Sequence, residues 1–310
     1  MKTKIVLAGG CTGGHIFPLI TEMKKIQQDF GGQRELDFLF IGPDGDLEKT
    51  LLEKEGVARK KILCGKLRRY FSFLYLLDLV KIPLGLLQSL WHLWRYMPDV
   101  VFSKGGYASV PVVLAARIFL IPVVIHESDA IPGLANKFLG SIANRVAINF
   151  ERARMYFSPS KVFLSGLPVR AEITSGNAEL ARETFRLEKN KPVLLVLGGS
   201  QGAEFINNKI LNFLESLTKK FQIVHQTGKN NFEKAVYFSK EKGFDDEKRG
   251  YRPVAFIGEE MKDLLALADV VVARSSATHI AEIAACRKPL IVIPGPFHAN
   301  GHQLINAREL

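Results

Sequence analysis

The chain has few residues that staple or ligate. Its three cysteines, Cys11, Cys64 and Cys286, are far apart and odd in number. That excludes a disulfide framework or a cysteine-based zinc site and points to a reducing compartment. No long hydrophobic run opens the chain: Met1-Lys2-Thr3-Lys4 leads into a short apolar stretch ending at Ala8, and then into glycines. That is not a signal peptide, so the expectation is a protein that stays in the cytoplasm unless another segment attaches it to a membrane. The apolar segment that reaches Trp91 and Trp94 is interrupted by Asp78, Lys81, Pro83 and Gln88, which argues against a transmembrane helix. Neither glycine-rich turn ends in Gly-Lys-Ser/Thr, and neither is a clean G-x-G-x-x-G. A P-loop nucleotidase and a nicotinamide enzyme are both disfavoured. No recognised nucleic-acid module is present, and nucleic acid is not an expected partner.

What is present is a chain of 310 residues, 47% hydrophobic and 24% charged. At about 150 residues per domain this is two globular domains. The net charge is +11, unevenly spread, with 22 basic and 14 acidic residues up to Ser165 against 20 and 17 after it. Such an excess suits an anionic partner: an acidic membrane surface or a phosphorylated substrate.

Short apolar runs alternate with helical stretches. Strands are expected at residues 4–8, 36–41, 100–103, 122–126, 146–149, 193–197, 222–226, 270–273 and 290–293. Helices are expected at 18–30, 47–55, 110–118, 203–219, 262–268 and 277–286. Continuously apolar strands between helices mean parallel sheets covered on both faces, the α/β class. Two segments open alike. Ile5-Val6-Leu7-Ala8 runs into Gly9-Gly10-Cys11-Thr12-Gly13-Gly14-His15, and Val193-Leu194-Leu195-Val196-Leu197 runs into Gly198-Gly199-Ser200-Gln201-Gly202-Ala203. Each is the strand, glycine turn and helix that begin a Rossmann-like unit, whose turn brings backbone N–H groups to a phosphate. Two similar domains are expected, at 1–165 and 166–310, with the break near Gly166-Leu167-Pro168.

His15 ends the first glycine loop, at the carboxyl edge of a sheet, where ligands bind and where an imidazole can take a proton from a hydroxyl. Asp44-Gly45-Asp46 has the form of a metal-binding D-x-D, but after the second strand a turn and a helix cap explain it. His298 and His302 flank Gly301 without an acid or cysteine at ligand spacing, so no metal is expected there. Arg59, Lys60, Lys61, Lys66, Arg68 and Arg69 form a basic cluster without an acid among them, followed by the aromatic segment Tyr70 to Trp94. Basic residues beside aromatics suit an anionic bilayer surface, if the aromatics are exposed, and the alternative is a helix packed on the first sheet.

The run Ala8-Gly9-Gly10-Cys11-Thr12-Gly13-Gly14-His15-Ile16-Phe17-Pro18 resembles the first signature of the bacterial cell-wall glycosyltransferases that form lipid II. Further segments match in family order: Gly105-Gly106-Tyr107, His126-Glu127 with Gly133-Leu134-Ala135-Asn136-Lys137, Gly166-Leu167-Pro168-Val169-Arg170, Gly198 to Ala203, Glu282-Ile283-Ala284-Ala285, and His302-Gln303 with Asn306-Ala307. The resemblance implies the GT-B fold, two Rossmann-like domains with parallel sheets facing across a cleft. It implies inverting transfer of N-acetylglucosamine from UDP-N-acetylglucosamine to undecaprenyl-pyrophosphoryl-N-acetylmuramoyl-pentapeptide (lipid I) for peptidoglycan synthesis. It also implies a peripheral enzyme on the cytoplasmic face of the cell membrane, without an obligatory metal or other cofactor. The acceptor and membrane would belong to the first domain and the UDP-sugar mainly to the second.

By the same resemblance, Thr12, Gly13, Gly14, Asp129, Arg170, Ser200, Ile257, Ala277, Thr278, His279, Ile280, Ala281, Glu282 and Gln303 match substrate-binding positions. Glu282 would accept hydrogen bonds from the ribose hydroxyls, Ser200 would hold the pyrophosphate, and His15 would be the base. Three positions depart from the family pattern: Cys11 for a glycine, Leu167 for an asparagine, and Asp129 for an asparagine at the donor. Family members continue for several elements past the point matching Leu310, so the chain is expected to be incomplete at its end. Another GT-B enzyme, such as a UDP-N-acetylglucosamine epimerase or a glycolipid transferase, and a non-catalytic membrane-recruited binding protein are the rival readings.

Overall fold

The computed structural model describes residues 2–10, 13–65, 74–199, 202–244, 250–295 and 301–310. The chain divides into two compact units, Met1–Pro168 and Val169–Leu310.

In the first unit the apolar run at the start becomes β1 (Lys2–Ala8), buried from Ile5 onward. It is followed by α1 (Gly13–Phe30), β2 (Glu35–Gly42), α2 (Asp46–Lys54), β3 (Ala58–Lys61), α3 (Leu74–Tyr96), β4 (Val100–Ser103), α4 (Val110–Ile118), β5 (Val123–Glu127), α5 (Leu134–Ile142), β6 (Arg145–Ile148) and β7 (Val162–Leu164). The strands pair in parallel, in the order β3-β2-β1-β4-β5-β6-β7. The order reverses between β1 and β4, and an open sheet binds its ligand outside the strand ends at such a point.

The second unit repeats the plan. It comprises α6 (Ala178–Thr184), β8 (Val193–Leu197), α7 (Glu204–Asn212), α8 (Leu214–Thr218), β9 (Gln222–Gln226), α9 (Phe232–Glu241), β10 (Tyr251–Val254), α10 (Met261–Leu267), β11 (Val270–Arg274), α11 (Ala277–Ala285), β12 (Leu290–Ile293) and α12 (His302–Arg308). Its parallel order is β10-β9-β8-β11-β12, with the reversal between β8 and β11. Apolar side chains cover both faces of the central strands in each unit, Val6 and Leu7 in the first and Leu195 and Val196 in the second.

Three expectations are corrected. The first helix starts at Gly13, not Pro18, and carries Pro18 inside. Proline there forfeits only the bond to the carbonyl of Gly14, close to the helix start. The stretch expected as one helix over 203–219 is two, α7 and α8. Phe213, at φ −102 and ψ 12, leaves the helical basin with its ring exposed, and Leu214 and Thr218 beyond it turn into the core. In the Asp44-Gly45-Asp46 segment neither acid caps α2. Gly45 is the N-cap, and Asp44 instead accepts a hydrogen bond from Arg59 Nη1 at 2.8 Å.

Candidate active site

At the first reversal, Lys104-Gly105-Gly106 leaves the end of β4 and turns beside β1. Lys104 N donates to Ala8 O at 2.9 Å, and a Cβ on Gly9 would touch the Lys104 Cβ at 3.4 Å. Gly105 and Gly106 take φ of +81° and +80°, the left-handed region that favours glycine. The Asn136 amide fills the space a Cβ would need at Gly105, while a Cβ at Gly106 would lie in ordinary contact with His15 Nε2, at 3.5 Å. The second glycine turn therefore sets the imidazole of His15 beside it. Burial, reinforced by the charge of Lys104, holds His15 below the usual histidine range, and the charge of Asp129 opposes them. His15 is thus held neutral at neutral pH.

Beneath the turn lies a buried polar cluster. Lys104 Nζ donates to Glu22 Oε1 at 2.7 Å and to Nδ1 of His126. An ammonium only donates, so Nδ1 accepts and Nε2 carries the proton. Nε2 donates it to Gly166 O at 2.9 Å. Burial and the neighbouring Lys104 lower His126 to about 3, fixing it neutral. Glu127 accepts from Asp129 N at Oε1 and from Asn136 Nδ2 at Oε2, both at 2.8 Å. Burial, with Asp129 beside it, raises its carboxyl to about 7.

At the second reversal, Gly198-Gly199 follows β8 and Arg274-Ser275-Ser276 joins β11 to α11. Gly199 takes φ +85°, and a Cβ there would lie 2.8 Å from Arg274 Nη2. Ser276 caps α11, its Oγ accepting from His279 N at 3.4 Å. Arg170 Nε donates to Glu282 Oε1 at 2.8 Å. His279 is held near 4 by burial, then by the charges of Arg274 and Arg170. Ile257 is buried, its N–H donating to Gln226 Oε1 at 3.0 Å, and buried Gln303 accepts at Oε1 from Gly295 N at 2.9 Å.

The residues expected at the site thus fall into two sets. Gly13, Gly14 and His15 open α1 at the first reversal, and Asp129, after β5, reaches His15 by its charge. Arg170, Ala277, Thr278, His279, Ile280, Ala281 and Glu282 gather around α11, with Ile257 and Gln303 in the same unit. Thr12 and Ser200, and the departure at Cys11, lie outside the described residues, as does His298. Sequence reasoning missed Glu22, Lys104 and Arg274. Each of the last two stands where a central strand ends, but its partner comes only from the fold.

Two doubly wound parallel units, each with a glycine turn at its reversal, define a GT-B nucleotide-sugar enzyme. Residues 5–148 match the glycosyltransferase family 28 N-terminal domain and residues 193–310 its C-terminal domain. The chain therefore belongs to glycosyltransferase family 28, and within it to the UDP-N-acetylglucosamine–N-acetylmuramyl-(pentapeptide) pyrophosphoryl-undecaprenol N-acetylglucosamine transferases. A transferase of that name from Bacillus cereus, numbered 2, is 37% identical over 307 residues, covering 99% of this chain and 83% of the relative. One from Clostridium tetani is 36% identical over 310 residues, covering 100% and 83%. Among solved structures, MurG from Acinetobacter baumannii superimposes with a TM-score of 0.72 at 23% identity, covering 99% of this chain and 82% of the other. A UDP-GlcNAc 2-epimerase from Neisseria meningitidis bound to UDP-GlcNAc reaches 0.64 at 15%, covering 98% and 85%. At such identities these two likenesses establish the fold alone.

Proposed function

We infer that this enzyme transfers N-acetylglucosamine from UDP-N-acetylglucosamine to undecaprenyl-pyrophosphoryl-N-acetylmuramoyl-pentapeptide, forming lipid II with inversion. The observation that carries this reading is identity of 36–37% sustained over 99–100% of the chain with relatives that bear the transferase's name. In the chemistry, the acceptor hydroxyl attacks the anomeric carbon from the side opposite UDP and loses its proton to His15, whose imidazole is neutral and close to the Gly106 turn. The second unit takes the nucleotide: Glu282 accepts from the ribose, Gly198-Gly199 and the start of α11 face the phosphates, and Gln303 reads the sugar. Purified enzyme should release UDP only when lipid acceptor is added and should yield the disaccharide product. UDP release, or sugar epimerisation, that ignores the acceptor would overturn the reading.

We also propose that the first unit docks on the cytoplasmic face of the membrane through α3. Among the described residues no helix is long and apolar enough to cross a membrane. On α3, Val80, Leu84, Leu87, Trp91 and Trp94 are all exposed, Trp91 at 54% and Trp94 at 57%. Their spacing alternates four and three residues, so they form one stripe. Leu93 and Ser89 are buried on the opposite side, and α3 packs there against the core. A Cβ on Gly85 would collide with the carbonyl of Leu63, so glycine lets the segment after β3 lie against the helix. Gln88 Oε1 accepts from Leu63 N at 2.7 Å, holding the basic segment that starts at Arg59 to the same helix. Packed helix and exposed apolar face are two sides of one element. Lys66, Arg68, Arg69, Tyr70, Phe71 and Phe73 lie outside the described residues.

A further inference from the structure

In the first unit one chain of buried bonds starts beneath the glycine turn and ends on the backbone. Glu22 lies in α1, Lys104 follows β4 and His126 lies in β5. All three side chains are buried, that of Lys104 completely. Lys104 Nζ donates to Glu22 Oε1 and to His126 Nδ1, and His126 Nε2 donates to Gly166 O. Both nitrogens of the imidazole are therefore spent inside the protein. Burying the Lys104–Glu22 pair removes two charges from water, a cost that their attraction repays poorly, so stability alone does not account for it.

Gly166 is where the chain leaves the first sheet. Its N–H and that of Ser165 donate to Ile148 O at the end of β6, at 3.3 and 2.9 Å. It takes φ +70°, and no heavy atom lies within 4 Å of where a Cβ would sit. The left-handed turn, not crowding, therefore requires glycine. Its carbonyl accepts from His126 and, in an exposed contact, from Ser165 Oγ at 3.0 Å. Leu167 and Pro168 close the first unit, and soon after them Arg170 donates to Glu282 at 2.8 Å. The short segment 166–170 is thus fastened at one end by His126 and at the other by Glu282, each bond within its own unit. A carbonyl only accepts, so the His126 bond exists only while Nε2 carries the proton. With the proton on Nδ1, the ring would turn a lone pair towards Gly166 O. Lys104 forbids that form, because an ammonium cannot accept.

We propose that Lys104 is a positioning residue for the donor site: by keeping the His126 proton on Nε2 it fastens Gly166, and so sets the segment that carries Arg170 to the Glu282 carboxylate. The assignment rests on the reading that Glu282 takes the ribose of a UDP-sugar. Lys104 is wholly buried and meets no substrate itself. It acts through an imidazole tautomer, a backbone carbonyl and the segment that follows. Without it every nucleotide-facing side chain is still present, but the segment is free at its first end. Ordering Arg170 and Glu282 then becomes part of the cost of binding the nucleotide.

The test compares wild type, the double variant Glu22→Leu with Lys104→Met, and that double variant with His126→Gln added. The double variant removes both buried charges together and so strands neither. A glutamine amide nitrogen can take the place of Nε2 and donates whatever residue stands at 104. Imidazole ¹⁵N NMR on histidine-labelled protein reads the tautomer without any ligand, and titration calorimetry with UDP reads the donor site. Wild type should show His126 protonated on Nε2 alone. The double variant should show the Nδ1-protonated form appearing and a loss of about threefold to tenfold in UDP affinity, as for residues that act through others. Adding His126→Gln should bring the affinity back to within about twofold of wild type, which a loss of general packing would not allow. Melting temperatures confirm folding, and Lys104→Gln, which can accept as well as donate, carries the affinity test if the double variant unfolds. Wild-type His126 protonated on Nδ1 overturns the assignment without any variant. So does a folded variant that keeps the tautomer or the UDP affinity of wild type, or a loss that His126→Gln does not reverse. Wild-type protein that does not bind UDP overturns the reading of the second unit and the assignment with it.

Discussion

Arg170 and Glu282, 112 residues apart in the chain, meet at 2.8 Å through Nε and Oε1. Arg170 leads into the second unit and Glu282 lies in α11, so the bond ties the unit's entry to that helix. In the proposed function, that bond holds the carboxylate that is to accept from the ribose. The carboxylate is thereby oriented before any nucleotide arrives, which lowers the ordering cost of binding. Glu282→Ala should weaken UDP binding by about 1.5–3 kcal/mol, the range for a hydrogen bond to a charged group. Arg170→Ala should weaken it too, by freeing the carboxylate to rotate. Unchanged UDP affinity in calorimetry on both variants would refute the pairing's role.

His15 should carry the pH dependence of turnover. Burial keeps its imidazole neutral below the usual histidine range, and Asp129 pulls the other way by favouring the imidazolium. The acid limb of kcat/KM should therefore lie below pH 6.5, the ordinary histidine value. Removing the charge with Asp129→Asn takes away an influence that raises His15, so the limb should move to lower pH. His15→Ala should lower kcat by about 10²–10⁴-fold with UDP affinity nearly intact. An acid limb in Asp129→Asn that stays in place or moves upward would count against the pairing.

The central strands were legible in the sequence because they are buried on both faces and read as unbroken apolar runs. β3, β7 and β10 were not, and all three are edge strands. β3 reads Ala58-Arg59-Lys60-Lys61, β10 contains Pro253, and β7 has only three residues. Edges are kept short, charged or proline-bearing to prevent pairing with other chains, and that erases the apolar signal. The site shows the same division. His15 could be read because it ends a glycine loop, and Glu282 because a family motif carries it. Lys104 and Glu22 could not, since 82 residues separate them and only the fold makes them partners. Arg274 looks like any arginine after an apolar run until Gly199 is seen against it.

Stability should fall on acidification. His126 is lowered to about 3, and His225 and His279 to about 4, all mainly by burial. Unfolding lets each return to about 6.5 and bind a proton, so their contribution is complete above that pH and is lost as pH falls towards 4 and 3. Glu127 acts in the opposite sense. Raised to about 7, it contributes stability that is complete below its ordinary 4.5 and lost as pH rises through 7. Between pH 4.5 and 6.5 these three histidines, joined by the lowered His15 and His92 and opposed by Glu127 and the raised Glu22, leave a net uptake of protons on unfolding. The urea midpoint should drop from pH 6.5 to 5. His225→Gln should reduce that slope by about one proton, since His225 sits between Tyr251 OH and Asn207 Oδ1 and accounts for one of the three. A midpoint that is flat or rises over this range would show that the histidines are not buried neutral.

The lipid acceptor sets the last expectation. Drawing a polyprenyl chain out of a bilayer costs about 0.8 kcal/mol for each CH₂ exposed, so the enzyme must come to the lipid. In the proposed docking the α3 stripe makes the shallow apolar contact; its Trp91 and Trp94 rings are 5.3 Å apart, with Arg95 stacked 5.8 Å from Trp91. The exposed Lys60 and Lys61 next to this helix, and Arg95 on it, add attraction of about 1 kcal/mol each near an anionic surface, weakened by salt. Trp91→Ala with Trp94→Ala should cut binding to phosphatidylglycerol vesicles, and because both rings are exposed the fold should hold. Replacing Lys66, Arg68 and Arg69 by Glu should cut it further, most at low salt. Turnover on a water-soluble short-chain acceptor should survive both changes, while turnover on the full-length lipid in vesicles should fall with binding. Vesicle binding that is indifferent to both sets of changes and to salt would place the membrane contact on another face of the enzyme.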